Sequence, residues 1–152
     1  RHLLFDASGK HAYLTLEMHA EVVVFDVQEG NLIERQRLPL TERQEAAAKA
    51  GAGLHLSADG RFLYVSNRGT ANEIVVFSVG KQDGRLALVQ RRSVEGDHPR
   101  EFALDPTDKF LLVANQKSNQ IKVMRRDPLT GKLGETVQTF DQPAPSDLKF
   151  IR

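Results

Sequence analysis

The chain has 152 residues, in which 21 Lys and Arg side chains nearly balance 20 Asp and Glu side chains. A net charge of +1 provides no positive field for nucleic acid or for an anionic membrane surface. The absence of Cys excludes disulfides, thiolate metal ligands and a Cys nucleophile. Mean hydropathy is −0.39, and the apolar runs are far shorter than the roughly 20 residues that span a bilayer. We therefore expect a soluble, cytoplasmic protein that binds neither nucleic acid nor membrane.

The sequence contains three copies of one pattern. The aligned segments are RHLLFDASGK from Arg1, AGLHLSADGR from Ala52 and REFALDPTDK from Arg100. This alignment places Gly9, Gly60 and Asp108 at the same position of the repeat, where we expect equivalent hairpin turns.

Each copy continues with three further predicted strands. First come apolar strands, HAYLTLE from His11, FLYVSNR from Phe62 and FLLVANQ from Phe110. Next are β-branched strands, EVVVFDV from Glu21, EIVVFSV from Glu73 and QIKVMRR from Gln120. Last are more polar strands, within EGNLIERQRL, DGRLALVQRR and TGKLGETVQTF. Turns such as Asp59-Gly60 and Asp83-Gly84 are typical of hairpins, so each copy predicts four short antiparallel strands.

Four-stranded units that repeat every roughly 50 residues are typical of propeller blades, because one small sheet cannot bury both of its faces alone. We predict an all-β propeller with blades at approximately 1–40, 52–95 and 100–141, and the start of a further blade at 142–152. A β-sandwich is the alternative, but it does not explain the repeat. Residues 41–52 (TERQEAAAKAGA) predict a short helix between the first two blades, with a solvated loop as the alternative.

Three blades do not close a propeller, which has about four to eight blades. The first and last sheets would then expose apolar faces. We therefore expect either that the chain lacks N-terminal blades or that copies of it associate through their end blades.

Three sequence blocks carry a family resemblance. They are LSADGRFLYVSNRG (56–69), HPREFALDPTDKFLLVANQ (98–116) and RRDPLTGKL (125–133). Together, in this order, they resemble the lactonase family of seven-bladed β-propellers, which includes 6-phosphogluconolactonases and fungal carboxymuconate cyclizing enzymes. The resemblance covers essentially the whole chain. It implies a hydrolase of the 6-phosphogluconolactonase type that acts on an anionic sugar-acid lactone. The alternatives are a carboxymuconate cycloisomerase and a non-catalytic propeller scaffold.

The repeat also predicts a site, because scaffold positions should keep one residue class in every blade whereas functional positions should differ. Two groups of equivalent positions differ in charge: Glu17, Arg68 and Gln116 after the second strand, and Arg1-His2, Ala52-Gly53 and Arg100-Glu101 at the start of the innermost strand. Inner strands line the central channel of a propeller. Since an unpaired buried charge is costly, we expect these residues at a channel mouth or paired with opposite charges.

Arg side chains are fixed forks that bind a carboxylate or phosphate, and a tuned Glu can act as a general base. The resemblance implies roles as well: the cyclizing enzymes use an Arg in a Gly-Pro-Arg-His block, a Glu after the next apolar strand and an Arg in a later blade. These match Arg1, Glu17 and Arg68, which we predict to be catalytic, with Arg100 and His2 binding substrate. The family's catalytic His lies in an upstream blade that this sequence does not contain.

The remaining histidines are His11, His19, His55 and His98. They lack metal-ligand spacing, and no Gly-rich phosphate loop is present. We predict no metal and no cofactor, and a small anionic substrate as the partner.

Overall fold

The computed structural model describes residues 1–151, whose strands form three antiparallel four-stranded sheets in chain order. The first sheet contains β1 (Leu3–Phe5), β2 (His11–Leu16), β3 (Glu21–Gln28) and β4 (Asn31–Pro39). The second contains β5 (Gly51–Leu56), β6 (Phe62–Asn67), β7 (Glu73–Val79) and β8 (Leu86–Ser93). The third contains β9 (Pro99–Leu104), β10 (Phe110–Asn115), β11 (Gln120–Arg126) and β12 (Leu133–Asp141). The predicted all-β propeller architecture is confirmed.

The first hairpin turn of each sheet has the same geometry. Gly9, Gly60 and Asp108 have φ angles of 68°, 70° and 60°, and each donates its backbone N–H to the carbonyl three residues earlier, at 3.0, 2.9 and 2.8 Å. Glycine adopts this left-handed conformation freely, and Asp is among the few other residues that tolerate it. The equivalence predicted from the repeat is confirmed.

Two apolar layers hold the sheets together. One lies between the first and second sheets and includes Tyr13, Val24 and Leu63. The other lies between the second and third sheets and includes Tyr64 and Leu111. The second sheet is therefore covered on both faces, and every residue of β6 is buried. This arrangement is the reason for the strongly apolar FLYVSN sequence of that strand.

Polar contacts repeat at both sheet interfaces. The hydroxyl of Tyr13 donates to the Gly84 carbonyl at 3.0 Å, and the hydroxyl of Tyr64 donates to the Gly131 carbonyl at 2.7 Å. A second repeated contact joins the side-chain amides of Gln36 and Gln90 to the backbone N–H and C=O of Leu86 and Leu133. The sequence repeat therefore extends to the hydrogen bonds that set the spacing of neighbouring sheets.

The predicted helix over 41–52 is wrong, because only Ala46–Ala48 forms a single 3₁₀ turn. The carbonyls of Ala47, Ala48 and Ala50 accept hydrogen bonds from the end of β6 and the turn after it instead of from a helical ladder. The Asn67 amide forms two of these links to the segment: Nδ2 donates to the Ala48 carbonyl, and Oδ1 accepts from the Ala50 N–H, both at 3.0 Å. Packing against the second sheet thus outweighs the helix propensity of the alanines.

Residues 142–151 contain no strand, and Arg152 lies outside the described residues. The start of a further blade at 142–152 stays a prediction. Leu3 and Phe5 are exposed on the first sheet, and Val137 and Phe140 are exposed on the third. That further blades or a second copy cover these side chains also stays a prediction.

Candidate active site

The predicted site residues lie at one end of the sheets. Glu17 and Arg68 follow the carboxyl ends of β2 and β6, whereas Arg1 and His2 precede β1. Because β1 runs antiparallel to β2, the start of the innermost strand lies beside the end of its neighbour, and the Thr15 N–H donates to the His2 carbonyl at 2.9 Å. The hairpin turns at Gly9, Gly60 and Asp108 occupy the opposite end.

A carboxylate between two guanidinium groups forms the centre of this cluster. Arg68 Nη2 donates to Glu17 Oε1, and Arg1 Nη1 donates to Glu17 Oε2 at 3.4 Å. Burial raises the pKa of Glu17, but the hydrogen bond and charge of Arg68 and the charge of Arg1 outweigh it, so the pKa lies below its usual value. Glu17 is therefore ionised at neutral pH. Its side chain is 39% exposed, whereas that of Arg68 is 7% exposed.

Arg68 is held in place by two further contacts. Its Nε donates to the Ala50 carbonyl at 3.3 Å, and its Nη1 lies 3.3 Å from His98 Nε2. An arginine only donates, so this His98 nitrogen is an acceptor and carries no proton. Burial lowers the pKa of His98, and the charges of Arg68 and Lys117 lower it further. The guanidinium thus meets an acceptor on each of its three nitrogens.

His98 is a member of the cluster that the sequence reasoning missed. Its φ of +63° is unusual for a residue with a side chain, and its N–H donates to Asn72 Oδ1 at 2.9 Å. One signal was present in the sequence: His98 directly precedes Pro99-Arg100, which aligns with the start of the first repeat. The missing information was the contact with Arg68, 30 residues earlier.

A second carboxylate lies among histidines of the inner strands. Glu101 Oε1 is 3.0 Å from His55 Nε2, and Glu101 Oε2 is 3.8 Å from His2 Nδ1. Burial raises the pKa of Glu101, but hydrogen bonds from His55 and from the Phe102 N–H outweigh it and lower the pKa. Burial also lowers the pKa of His2, despite the neighbouring Glu101 charge. The predicted His2 therefore contacts Glu101, whereas Arg1 faces Glu17.

Arg100 is half-buried. Its charge contributes to the lowered pKa of His98. The structure therefore places Arg100 near the cluster without joining it to Glu17.

Two cavities lie at the opposite end of the sheets. They measure about 560 and 890 Å³, share Lys10 and His11, and include none of the predicted site residues. The part of the chain that the structure describes has no group of three His, Asp or Glu placed to hold a metal ion. In the same residues, no helix has the length and apolar character needed to cross a membrane.

These sheets, with their inner strands carrying charged clusters at one end, define a segment of a β-propeller that has a candidate anion-binding site. Residues 1–150 match the family described as "Lactonase, 7-bladed beta-propeller". The chain belongs to this lactonase family.

Two proteins resemble this chain closely, one in sequence and one in structure. A 6-phosphogluconolactonase of Formosa agariphila is 41% identical over 152 residues, which cover 99% of this chain and 43% of that protein. A structure of the periplasmic gluconolactonase of Pseudomonas aeruginosa is 48% identical with a TM-score of 0.96, over 100% of this chain and 42% of that one.

Two further relatives have similar names. A 6-phosphogluconolactonase of Bacillus subtilis is 35% identical, over 99% of this chain and 44% of that protein. A putative 6-phosphogluconolactonase of Bacteroides fragilis has a TM-score of 0.93 at 36% identity, over 100% of this chain and 42% of that one. The chain therefore spans less than half the length of the relatives that it matches.

Proposed function

We propose that this chain is part of a lactone hydrolase of the 6-phosphogluconolactonase type, acting on an anionic sugar-acid lactone. The observation that carries the proposal is the Glu17 carboxylate held between Arg68 and Arg1, which come from two neighbouring blades. Two guanidinium groups share one carboxylate, so one positive charge is left over to attract an anionic substrate. The relatives named 6-phosphogluconolactonase support the substrate class.

In the proposed reaction, water adds to the lactone carbonyl carbon and the ring carbon–oxygen bond breaks. Arg1, whose side chain is 20% exposed, holds the anionic group of the substrate, and the charge of the largely enclosed Arg68 adds to the attraction. Glu17 is ionised, so it orients the attacking water and accepts its proton. Arg100 and His2, at the starts of two inner strands, are proposed to contact the rest of the substrate.

We propose that these residues act within a closed seven-bladed propeller, completed by further blades or by association of chains. The partner is a small anionic substrate, and no metal or other cofactor enters the reaction. We keep the cytoplasm as the proposed location. Because the Pseudomonas relative is named periplasmic, cell fractionation with an antibody to this chain tests that assignment directly.

The test of function is an assay of the whole seven-bladed protein with 6-phosphogluconolactone, with gluconolactone and with a carboxymuconate. We expect lactone hydrolysis. Arg68→Ala should mainly raise KM, and Glu17→Gln should mainly lower kcat, by about 10²-fold or more. Arg61→Ala is the matched control, because Arg61 pairs with Asp59 at the opposite end of the sheets.

Each alternative function has its own outcome. Turnover of the carboxymuconate without lactone hydrolysis would assign a cycloisomerase, and turnover of neither substrate class would favour a binding scaffold. Lactone hydrolysis with near-normal kcat in Glu17→Gln would remove Glu17 from the mechanism and leave only the anion-binding part of the proposal.

A further inference from the structure

A histidine and a carboxylate from adjacent inner strands meet deeper along the channel than Glu17. His55 lies on β5, three positions beyond the residue aligned with Arg1, which corresponds to about 10 Å along a strand. Its Nε2 is 3.0 Å from Oε1 of Glu101 on β9. The Glu101 side chain is 13% exposed, whereas that of His55 is 41% exposed. The imidazole is therefore accessible, and the carboxylate behind it is largely enclosed.

The surroundings fix this pair in one geometry. The Phe102 N–H donates to the same Glu101 oxygen at 3.0 Å, and the Phe102 ring packs edge-on to His55 with ring centres 4.8 Å apart. Gly53 lies opposite, and a Cβ at that position would overlap the carboxylate oxygen. The third repeat supplies the carboxylate, and the second repeat supplies both the histidine and the space that the carboxylate occupies.

This geometry determines which ring nitrogen of His55 is available. A carboxylate at Nε2 favours a proton on that nitrogen, so Nδ1 is left to exchange a proton with another molecule. His2 Nδ1 is the other titratable group facing Glu101, at 3.8 Å, and the Arg1 charge acts on His2. Because Arg1 contacts Glu17, the Arg1-His2 pair connects the two carboxylate clusters.

We propose that His55 is a catalytic proton-transfer residue of the same lactonase site, and that Glu101 is the positioning residue that fixes its tautomer. This proposal rests on the proposed function. As the water oxygen bonds to the carbonyl carbon, Glu17 accepts the water proton. The ring carbon–oxygen bond breaks, and imidazolium Nδ1–H of His55 protonates the departing oxygen. Both residues regain their starting protonation through solvent, so the net change is addition of one water molecule.

The first test measures kcat, KM and the pH profile of lactone hydrolysis in the whole protein. His55→Asn should lower kcat by about 10²-fold or more with little change in KM. Glu101→Gln should lower kcat less than His55→Asn does, with little change in KM, because the imidazole remains in place but its tautomer is no longer fixed. His55→Gln is a second variant in case His55→Asn fails to fold, and thermal melting checks each protein.

A matched control comes from the other end of the sheets, where His11 Nδ1 lies 2.9 Å from Asp6. Asp6→Asn removes a carboxylate from a histidine there and should leave the pH profile unchanged. As a readout independent of activity, nitrogen NMR should show the Nε2–H tautomer of neutral His55, and a mixture of tautomers in Glu101→Gln.

The outcomes separate the two proposals. Wild-type hydrolysis with kcat of His55→Asn or His55→Gln within twofold of normal overturns the role of His55 and leaves the proposed function standing. A neutral His55 with its proton on Nδ1 overturns the role of Glu101. If the wild type hydrolyses no lactone, the proposed function fails and the catalytic role of His55 fails with it.

Discussion

Two equivalent tyrosines allow a quantitative test of how the sheets are joined. Tyr13 and Tyr64 are fully buried, and each donates its hydroxyl to a backbone carbonyl of the following sheet. They differ in one contact, because the Tyr64 oxygen also accepts a hydrogen bond from Arg126 Nε at 2.5 Å. The Arg126 side chain is 0% exposed and pairs with Asp108 at 2.8 Å. Burial raises the pKa of Tyr64 to about 12, so its hydroxyl remains protonated.

The two Tyr→Phe substitutions should therefore have unequal costs. Tyr13→Phe removes one hydrogen bond between neutral groups, which costs about 1 kcal/mol. Tyr64→Phe removes the same bond and leaves a buried charged donor without its acceptor, which adds about 2 kcal/mol. We expect Tyr64→Phe to be the more destabilising by about 2 kcal/mol, which is roughly a 30-fold difference in the unfolding equilibrium constant.

Urea unfolding of the two variants and the wild type, followed by circular dichroism, measures this difference from the midpoints at a common m-value. Equal destabilisation by the two substitutions would contradict this expectation, because it would mean that Arg126 Nε finds another acceptor when Tyr64 is absent. A lowered m-value in one variant alone would show that its unfolding transition differs from that of the wild type, so the two midpoints could not be compared.

Two further predictions concern the candidate site. Because Arg68 and Arg1 lower the pKa of Glu17, its carboxylate stabilises the fold above the unfolded-state pKa of about 4.3, and this contribution is lost as pH falls through the lower folded-state pKa. Urea unfolding should therefore show Glu17→Gln to be less stable than the wild type at pH 7, with the difference disappearing in acid. His98→Gly relieves the positive φ but leaves the largely enclosed Arg68 without one acceptor and adds entropy to the unfolded chain, so thermal stability should fall by about 1 kcal/mol. Lactone hydrolysis by the whole protein should fall as well, and unchanged stability and activity would show that Arg68 does not depend on His98.

Most of the fold could be predicted from the sequence because its determinants are local and recur. Gly9 and Gly60 mark hairpin turns, and alternation with β-branched residues marks the strands between them. The segment before Gly51 could not be predicted in this way, since its alanines favour a helix in isolation. Its conformation is decided by contacts such as that of Asn67, which lies in the following sheet.

In the candidate site too, contacts between equivalent positions of the repeat could be predicted, whereas contacts between non-equivalent positions could not. Glu17 and Arg68 could be predicted to lie close together because the repeat aligns the ends of their strands. The contact of His55 with Glu101 spans 46 residues and joins positions that are not equivalent in the repeat. No spacing rule within one copy indicates such a pair. The sequence shows that Gly53 has no side chain where the equivalent positions have His2 and Glu101. It does not show that the Glu101 carboxylate occupies the space beside Gly53.

A departure from the repeat is therefore not sufficient evidence for function. Arg126 aligns with Val79 of the preceding copy. It therefore differs in charge from its equivalent position, as Glu17 does. Its side chain is completely enclosed and bonded within the interface, so it can reach no substrate. Glu17 and His55, by contrast, are paired with opposite charges or acceptors and still remain 39% and 41% exposed. Charge at a non-repeating position locates the candidates, and partial exposure toward the channel distinguishes groups that can meet a ligand from groups that only join the blades.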